Sequence, residues 1–234
     1  MPMNDFIKIK IVSEFIPCLL ESIEKYRPRI QYEPPNWLNS YYFSKEAPII
    51  SEIEGFQKEI DNRKERLKSY SRLKEVLWLR DNELVDSIIN MFKVLGIETK
   101  KDEIYEEDFW ITESNVESII VEVKGLNKNV TRIHINKLEN HREARGKPDD
   151  FPTLLSVNTF NNAQTVDEKD QAISPNEIKR AVRNNILIIR TIDLCNAYSL
   201  IQENKLTSEQ LLELIKTETG WLKITDSDCN VLKK

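Results

Sequence analysis

The spacing of apolar residues changes at Gly96, and this change constrains the fold more than any other feature. Before it, in NELVDSIINMFKVLG, apolar residues recur at the intervals of an amphipathic helix, which Gly96 is suited to end. After it, IETKK, DFWI and SIIVEVKG have the period of two that is typical of strands. Helical and strand patterns then alternate, which predicts an α/β fold with a mixed sheet flanked by helices.

The later segments continue this alternation. The remaining predicted elements are a helix over 132–145, a strand over 154–160, a helix from 175 to about 184, a strand over 186–191, a helix opened by Asp193, and a helix over 207–220. The helix that begins at Pro175 has Ser174 at the N-cap position. The strand ILIIRT is apolar on both faces, so we expect it to be central in the sheet.

The N-terminal part of the chain has a different pattern. Residues 1–50 are predicted to be an irregular segment, in which the apolar stretch from Ile7 to Leu20 forms a strand followed by a helix. Residues 51–80 are predicted to form one long, charged amphipathic helix, with apolar residues close to a heptad spacing. Such a helix could form a homodimer, bind a partner protein or lie on its own domain. Its basic C-terminal part is either a solvated face or a contact for phosphates.

Composition excludes several classes of protein. The three cysteines among 234 residues are far apart, which argues against a zinc cluster or a disulfide framework and favours a reducing cytoplasm. No signal peptide or long apolar run is apparent, so we expect a cytoplasmic protein. Five glycines and no phosphate-loop motif argue against a nucleotide-hydrolysing motor. The net charge of −5 argues against nonspecific coating of nucleic acid, although a site that holds a divalent metal is itself acidic.

The segment SIIVEVKG carries the strongest chemical signal. Because side chains alternate along a strand, Val121 and Val123 face one way while Glu122 and Lys124 face the other. Asp108 stands fourteen residues before Glu122, and a hairpin of the two strands would bring the carboxylates together. Two carboxylates and a strand carbonyl, that of Val123, can hold Mg²⁺, and a nearby lysine can assist the attack of water on a phosphodiester.

Other interpretations of these residue types stay open. Alternating Glu and Lys is also typical of a solvated strand face. A second tripeptide of this kind, Asp167-Glu168-Lys169, is predicted to lie in a polar loop with no strand pattern around it. His134 and His141 are seven residues apart on one predicted helix, whereas a zinc pair on a helix would be three or four apart. They are therefore interpreted as exposed or capping histidines.

The segments LVDSIINMFKVLGIE, EEDFWI and IIVEVKG together resemble the core of PD-(D/E)xK nucleases of the restriction-endonuclease-like superfamily, over roughly residues 75–215. The resemblance implies a metal-dependent endonuclease, a hydrolase of nucleic acid for which DNA is favoured over RNA, with Mg²⁺ or Mn²⁺ and a role in prokaryotic defence. By match, Asp108 and Glu122 bind the metal with the carbonyl of Val123, and Lys124 assists the attacking water. The nuclease-like domain would span residues 81–222, followed by a loose tail over 223–234.

Two positions depart from the family pattern. Glu107 replaces the proline that often precedes the motif aspartate, and Val85 stands where members often carry a glutamate at the start of the helix. Glu83 or Asp86 could supply this third acid, and Glu83 lies closer to the apolar face. If neither serves, the chain would be a nuclease-fold protein without catalysis that binds DNA or a partner as a scaffold.

Overall fold

The computed structural model describes residues 5–26, 35–101 and 108–234. Contacts between Cα atoms divide the chain into two compact units, Met1–Glu59 and Ile60–Lys234. Glu107, the residue that replaces the family's proline, lies outside the described residues. In the part of the chain that is described, no helix is long and apolar enough to cross a membrane.

The first unit contains two long helical segments. Helix α1 spans Asp5–Tyr26, a 3₁₀ helix spans Asn36–Ser40, and helix α2 spans Glu46–Leu73, extending into the second unit. The prediction of a strand followed by a helix in an irregular segment is therefore wrong. The alternation IKIKIV suggested a strand, but one uninterrupted helix continues through it, because helix propagation is cooperative once a turn has formed.

The second unit contains a seven-stranded sheet and most of the helices. Its helices after α2 are α3 (Asp81–Val94), α4 (Arg132–Ala144), α5 (Val166–Lys169), α6 (Pro175–Arg183), α7 (Thr191–Gln202) and α8 (Ser208–Thr217). A 3₁₀ helix, Lys74–Leu77, links α2 to α3. The strands are β1 (Thr99–Lys101), β2 (Phe109–Glu113), β3 (Val116–Gly125), β4 (Thr153–Asn158), β5 (Leu187–Arg190), β6 (Gly220–Ile224) and β7 (Cys229–Leu232).

The strands lie in the sheet in the order in which they occur in the chain. Strands β1, β2 and β3 form an antiparallel meander, β3 to β6 are parallel, and β7 pairs antiparallel with β6. The mixed sheet predicted from the sequence is therefore confirmed. The expectation of a loose tail over 223–234 is wrong, because residues 223 and 224 belong to β6 and the backbone of β7 pairs antiparallel with it.

Two apolar cores cover the two faces of the sheet. On one face, apolar side chains of α3, α7 and α8 share a core with Ile119, Val121 and Val123 of β3. On the other face, α4 and α6 pack against residues that include Ile120 of β3 and Val157 of β4. The alternation of β3 between the two cores is the one that its sequence predicts. It leaves Glu122 and Lys124 on the face that α4 covers.

Candidate active site

The pairing of β2 with β3 places Asp108 beside Glu122. Phe109 lies opposite Val121 in the antiparallel register, so the residue just before β2 falls at the level of the Glu-Val-Lys segment. The backbone N–H of Val123 donates to Oδ2 of Asp108 at 2.6 Å. The predicted hairpin is therefore confirmed, and this hydrogen bond fixes the Asp108 carboxylate against β3.

Glu122 is fully buried, yet three nitrogen-bearing side chains surround its carboxylate. Nζ of Lys124 lies 2.5 Å and Nζ of Lys137 lies 3.1 Å from Oε1, while Nδ1 of His141 lies 3.2 Å from Oε2. A buried carboxylate without such partners would be strongly disfavoured. Lys124 and Lys137 are 29% and 42% exposed, so their amines connect the buried carboxylate to solvent.

Helix α4 supplies two of these partners, and the sequence analysis did not identify them. Lys137 and His141 are four residues apart on α4, so they share the face that the helix turns toward β3. The interpretation of His141 as an exposed or capping residue is wrong, because its ring is buried against Glu122. His134 is a capping residue as expected: its Nδ1 accepts a hydrogen bond from the backbone N–H of Thr131 at 3.1 Å.

The contacts around Glu122 outweigh the cost of its burial. Burial raises the pKa of the Glu122 carboxyl, but the close contacts with His141, Lys124 and Lys137, together with the charge of Lys124, hold the pKa at about 2. Glu122 is therefore ionised over the whole physiological range. In the same helix that supplies His141, burial lowers the pKa of His134, and the charge of Lys124 lowers it further.

The pKa of Asp108 is shifted in the opposite direction, above its ordinary value. Burial raises the pKa of the Asp108 carboxyl, and the negative charge of Glu122 raises it further. The hydrogen bond from Val123 and the charges of Lys124 and Lys137 lower it without reversing the shift. Two carboxylates thus lie close enough to repel each other, which is the electrostatic setting that a bound cation relieves.

The donor set fits a hard divalent cation that keeps part of its water shell. Asp108 and Glu122 offer the carboxylate oxygens that Mg²⁺ prefers, and the charge of Glu122 adds to burial in raising the pKa of Asp108. Among the described residues, no group of three or more His, Cys, Asp or Glu side chains is arranged to hold a metal ion. A cation here would therefore depend on two carboxylates, on backbone carbonyl oxygens and on water, as Mg²⁺ often does.

The candidate third acids of α3 do not contact this pair in any of the described interactions. Glu83 is exposed and lines a shallow depression with Trp78, Asp86 and Asn90. The Asp86 carboxylate pairs with Lys101 at 2.8 Å. Val85, at the family's glutamate position, is buried in the core between α3 and the sheet.

The second acid–lysine tripeptide, Asp167-Glu168-Lys169, belongs to the short helix α5 rather than to a loop. The amine of Lys169 is buried, where it donates to the side chain of Asn158 and to the backbone oxygen of Thr159. Thr191 also donates to Oδ1 of Asn158, at 3.0 Å. This polar cluster joins the ends of β4 and β5 to α5, on the face of the sheet opposite Glu122.

Comparisons with known proteins give a likeness of fold. No model of a protein family matches the sequence, and no curated protein sequence matches it either. The chain is similar to the restriction endonuclease FokI in one structure at 15% identity and a TM-score of 0.46, and in a structure of FokI bound to DNA at 16% and 0.45. Both matches cover 66% of this chain but only 31% and 30% of FokI, about a third of its length.

Proposed function

We propose that this protein is a metal-dependent endonuclease that hydrolyses phosphodiester bonds, with DNA as its substrate in preference to RNA. The observation that carries the proposal is the meeting of Asp108, Glu122 and Lys124 at one point of the sheet. Their roles were expected from sequence, and the contacts among them support those roles. A cytoplasmic location and a part in prokaryotic defence stay predictions from the sequence.

Asp108, Glu122 and the backbone carbonyl of Val123 are the groups that would hold Mg²⁺ or Mn²⁺. When bound, such an ion polarises the scissile phosphate and lowers the pKa of a coordinated water. Glu122 is suited to this position because it stays ionised in a buried place. Asp108 is suited to it because its hydrogen bond to Val123 orients the carboxylate before any ligand arrives.

Lys124 is proposed to act on the attacking water or on the developing negative charge of the phosphate. It shares Oε1 of Glu122 with Lys137. One lysine can therefore turn to water or phosphate while the other keeps the carboxylate neutralised. The two amines also balance the charges of Asp108 and Glu122, which lessens the repulsion that a phosphodiester backbone would meet in an otherwise acidic protein.

A second candidate function is a nuclease fold without catalysis, which binds DNA or a partner protein as a scaffold. The observation that favours it is the environment of Val85. This residue is buried in the core, and neither Glu83 nor Asp86 replaces the missing carboxylate in the described contacts. A metal held by two carboxylates would be bound more weakly than one held by three.

The proposal is tested by cleavage of closed circular plasmid DNA in the presence of Mg²⁺ or Mn²⁺. A closed circle has no ends, so only an endonuclease can cut it. Wild type is compared with Asp108→Asn and Lys124→Ala. The matched control is Lys100→Ala, because Lys100 forms an exposed pair with Glu117 at 3.0 Å, away from the candidate site. Single-stranded DNA and RNA of the same sequence test the preference for substrate.

Metal-dependent cleavage by wild type and Lys100→Ala, lost in the other two variants, is the expected result. Binding of DNA without cleavage under every metal condition would favour the scaffold. A thermal-shift titration with Mg²⁺ separates the two steps, because a ligand that binds the folded state stabilises it even when no reaction follows. A shift in wild type that Asp108→Asn lacks supports the metal site independently of activity.

A further inference from the structure

Helix α2 carries a stripe of exposed apolar side chains. The residues of this stripe follow one another at alternating intervals of four and three, and they are Ile49, Ile53, Phe56, Ile60, Arg63 and Leu67. The five apolar members are between 46% and 65% exposed. This spacing is that of the a and d positions of a coiled coil, which pack against a second helix.

The charges of α2 are divided between its two halves. Residues 46–61 contain five acidic side chains and one lysine, whereas residues 62–73 contain five basic side chains and one glutamate. The N-terminal half therefore carries a net charge of −4 and the C-terminal half a net charge of +4. A helix with this distribution attracts a second copy of itself in the antiparallel direction and repels one in the parallel direction.

We propose that two copies of this protein associate through α2 in an antiparallel pair. The two-fold axis would pass between residues 61 and 62, where the charge changes sign. In this register Phe56 meets Leu67 of the second copy, and Ile60 meets Arg63 of the second copy. Because the interface is two-fold, each contact occurs twice.

The flanking positions agree with this register. Beside the apolar stripe, Glu59 of one copy falls next to Arg66 of the other, giving two attractive pairs across the axis. A parallel pair would instead place the two Arg63 side chains against each other in the apolar layer. In the antiparallel pair the Arg63 stem lies beside Ile60 while its guanidinium reaches solvent.

Association is tested first by the mass of the wild-type protein in solution, by sedimentation at increasing concentration. Ile60→Asp is expected to weaken the dimer by roughly a hundredfold, because it buries a charge in an apolar layer. The matched control is Ser51→Asp, which adds the same charge on the opposite face of α2. A wild-type protein that stays monomeric at every concentration overturns the proposal. The apolar stripe would then be covered by another segment of the chain or by a different protein.

Orientation is tested by a charge exchange. Glu59→Arg and Arg66→Glu should each weaken the dimer by about two- to tenfold, since each leaves like charges facing across the axis. The double variant, Glu59→Arg with Arg66→Glu, should recover most of the loss, because the attractive pairs are restored with their signs reversed. Failure of the double variant to recover contradicts the proposed register.

A distance measurement decides between the two directions without changing the charges at Glu59 and Arg66. Spin labels are placed one at a time at Ser51→Cys, Asp61→Cys and Arg72→Cys, with the three native cysteines replaced. The antiparallel pair predicts a short distance at position 61 and axial separations of about 31 Å at positions 51 and 72, from the helical rise. Short distances at all three positions would mean a parallel pair and would overturn the proposal. None of these measurements depends on cleavage, so they stand apart from the test of the endonuclease.

Discussion

The backbone N–H of Val123 donates to Oδ2 of Asp108 at 2.6 Å, so one strand orients both acids of the candidate site. Glu122 precedes Val123 on that strand, and Lys124 follows it. A displacement of β3 would therefore move all of these groups together. Glu122 and Lys124 are positioned by regular structure, and the hydrogen bond ties Asp108, which precedes β2, to the same strand.

Asp108→Asn is expected to abolish cleavage while slightly stabilising the metal-free protein. Burial raises the pKa of the Asp108 carboxyl above its unfolded value of 3.8, so ionisation in the folded state carries a cost. That cost appears as pH rises above 3.8 and is complete above the folded pKa, which makes the variant more stable than wild type at neutral pH. Cleavage should fall by at least about a hundredfold. Urea unfolding at pH 7 without metal measures the stability, and a clear loss there would contradict the raised pKa.

Glu122→Gln is expected to destabilise the protein at neutral pH. The pKa of Glu122 is held at about 2, below its ordinary value of 4.5, so its contribution is present above pH 4.5 and is lost as pH falls toward 2. The difference from wild type should be roughly 1–3 kcal/mol at pH 7 and should shrink below pH 4.5. Denaturant unfolding across this range measures it. Glu117→Gln, which removes only a surface pair with Lys100, should cost less than about 1 kcal/mol.

His141→Leu is expected to reduce cleavage by about 10- to 100-fold without removing any proposed metal ligand. Nδ1 of His141 lies 3.2 Å from Oε2 of Glu122, so the ring positions the carboxylate. The loss should appear as weaker Mg²⁺ binding in the thermal-shift titration as well as in the rate. His141→Gln can still donate to Oε2 and should recover part of both. Equal losses in the two variants would indicate that His141 serves only to fill space.

Lys169→Met tests the buried amine on the opposite face of the sheet. Burial and, to a smaller extent, the charge of Arg190 together lower the pKa of Lys169 to about 8. The folded state therefore binds fewer protons than the unfolded state between pH 8 and the ordinary value of 10.5. Over that interval this group makes the wild-type protein more stable as pH rises, whereas the variant lacks the contribution. The difference between their free energies of unfolding, followed by urea titration, should change with pH only in this window.

The sequence alone determined where helices and strands alternate in the second unit. The Thr207–Gln210 capping box, the change of period at Gly96 and the alternation of SIIVEVKG all depend on residues close in the chain, so they could be predicted from local spacing. The meeting of Asp108 with Glu122 was also predictable, because a hairpin joins strands that are close in sequence. The last strand was missed because four residues at an edge gain their stability from the neighbouring β6, not from their own propensity.

Only the tertiary structure decided which side chains complete the environment of Glu122. Lys137 and His141 are fifteen and nineteen residues beyond it, on a helix whose rotation about its axis follows from packing against the sheet. Nothing in their spacing distinguishes a helix face turned toward a buried carboxylate from one turned toward solvent. The burial of Val85 also depends on packing, because α3 turns its apolar side chains into the core that it shares with β3. Local spacing thus determined the elements and the candidate acids, while packing over long sequence distances determined their charge environment.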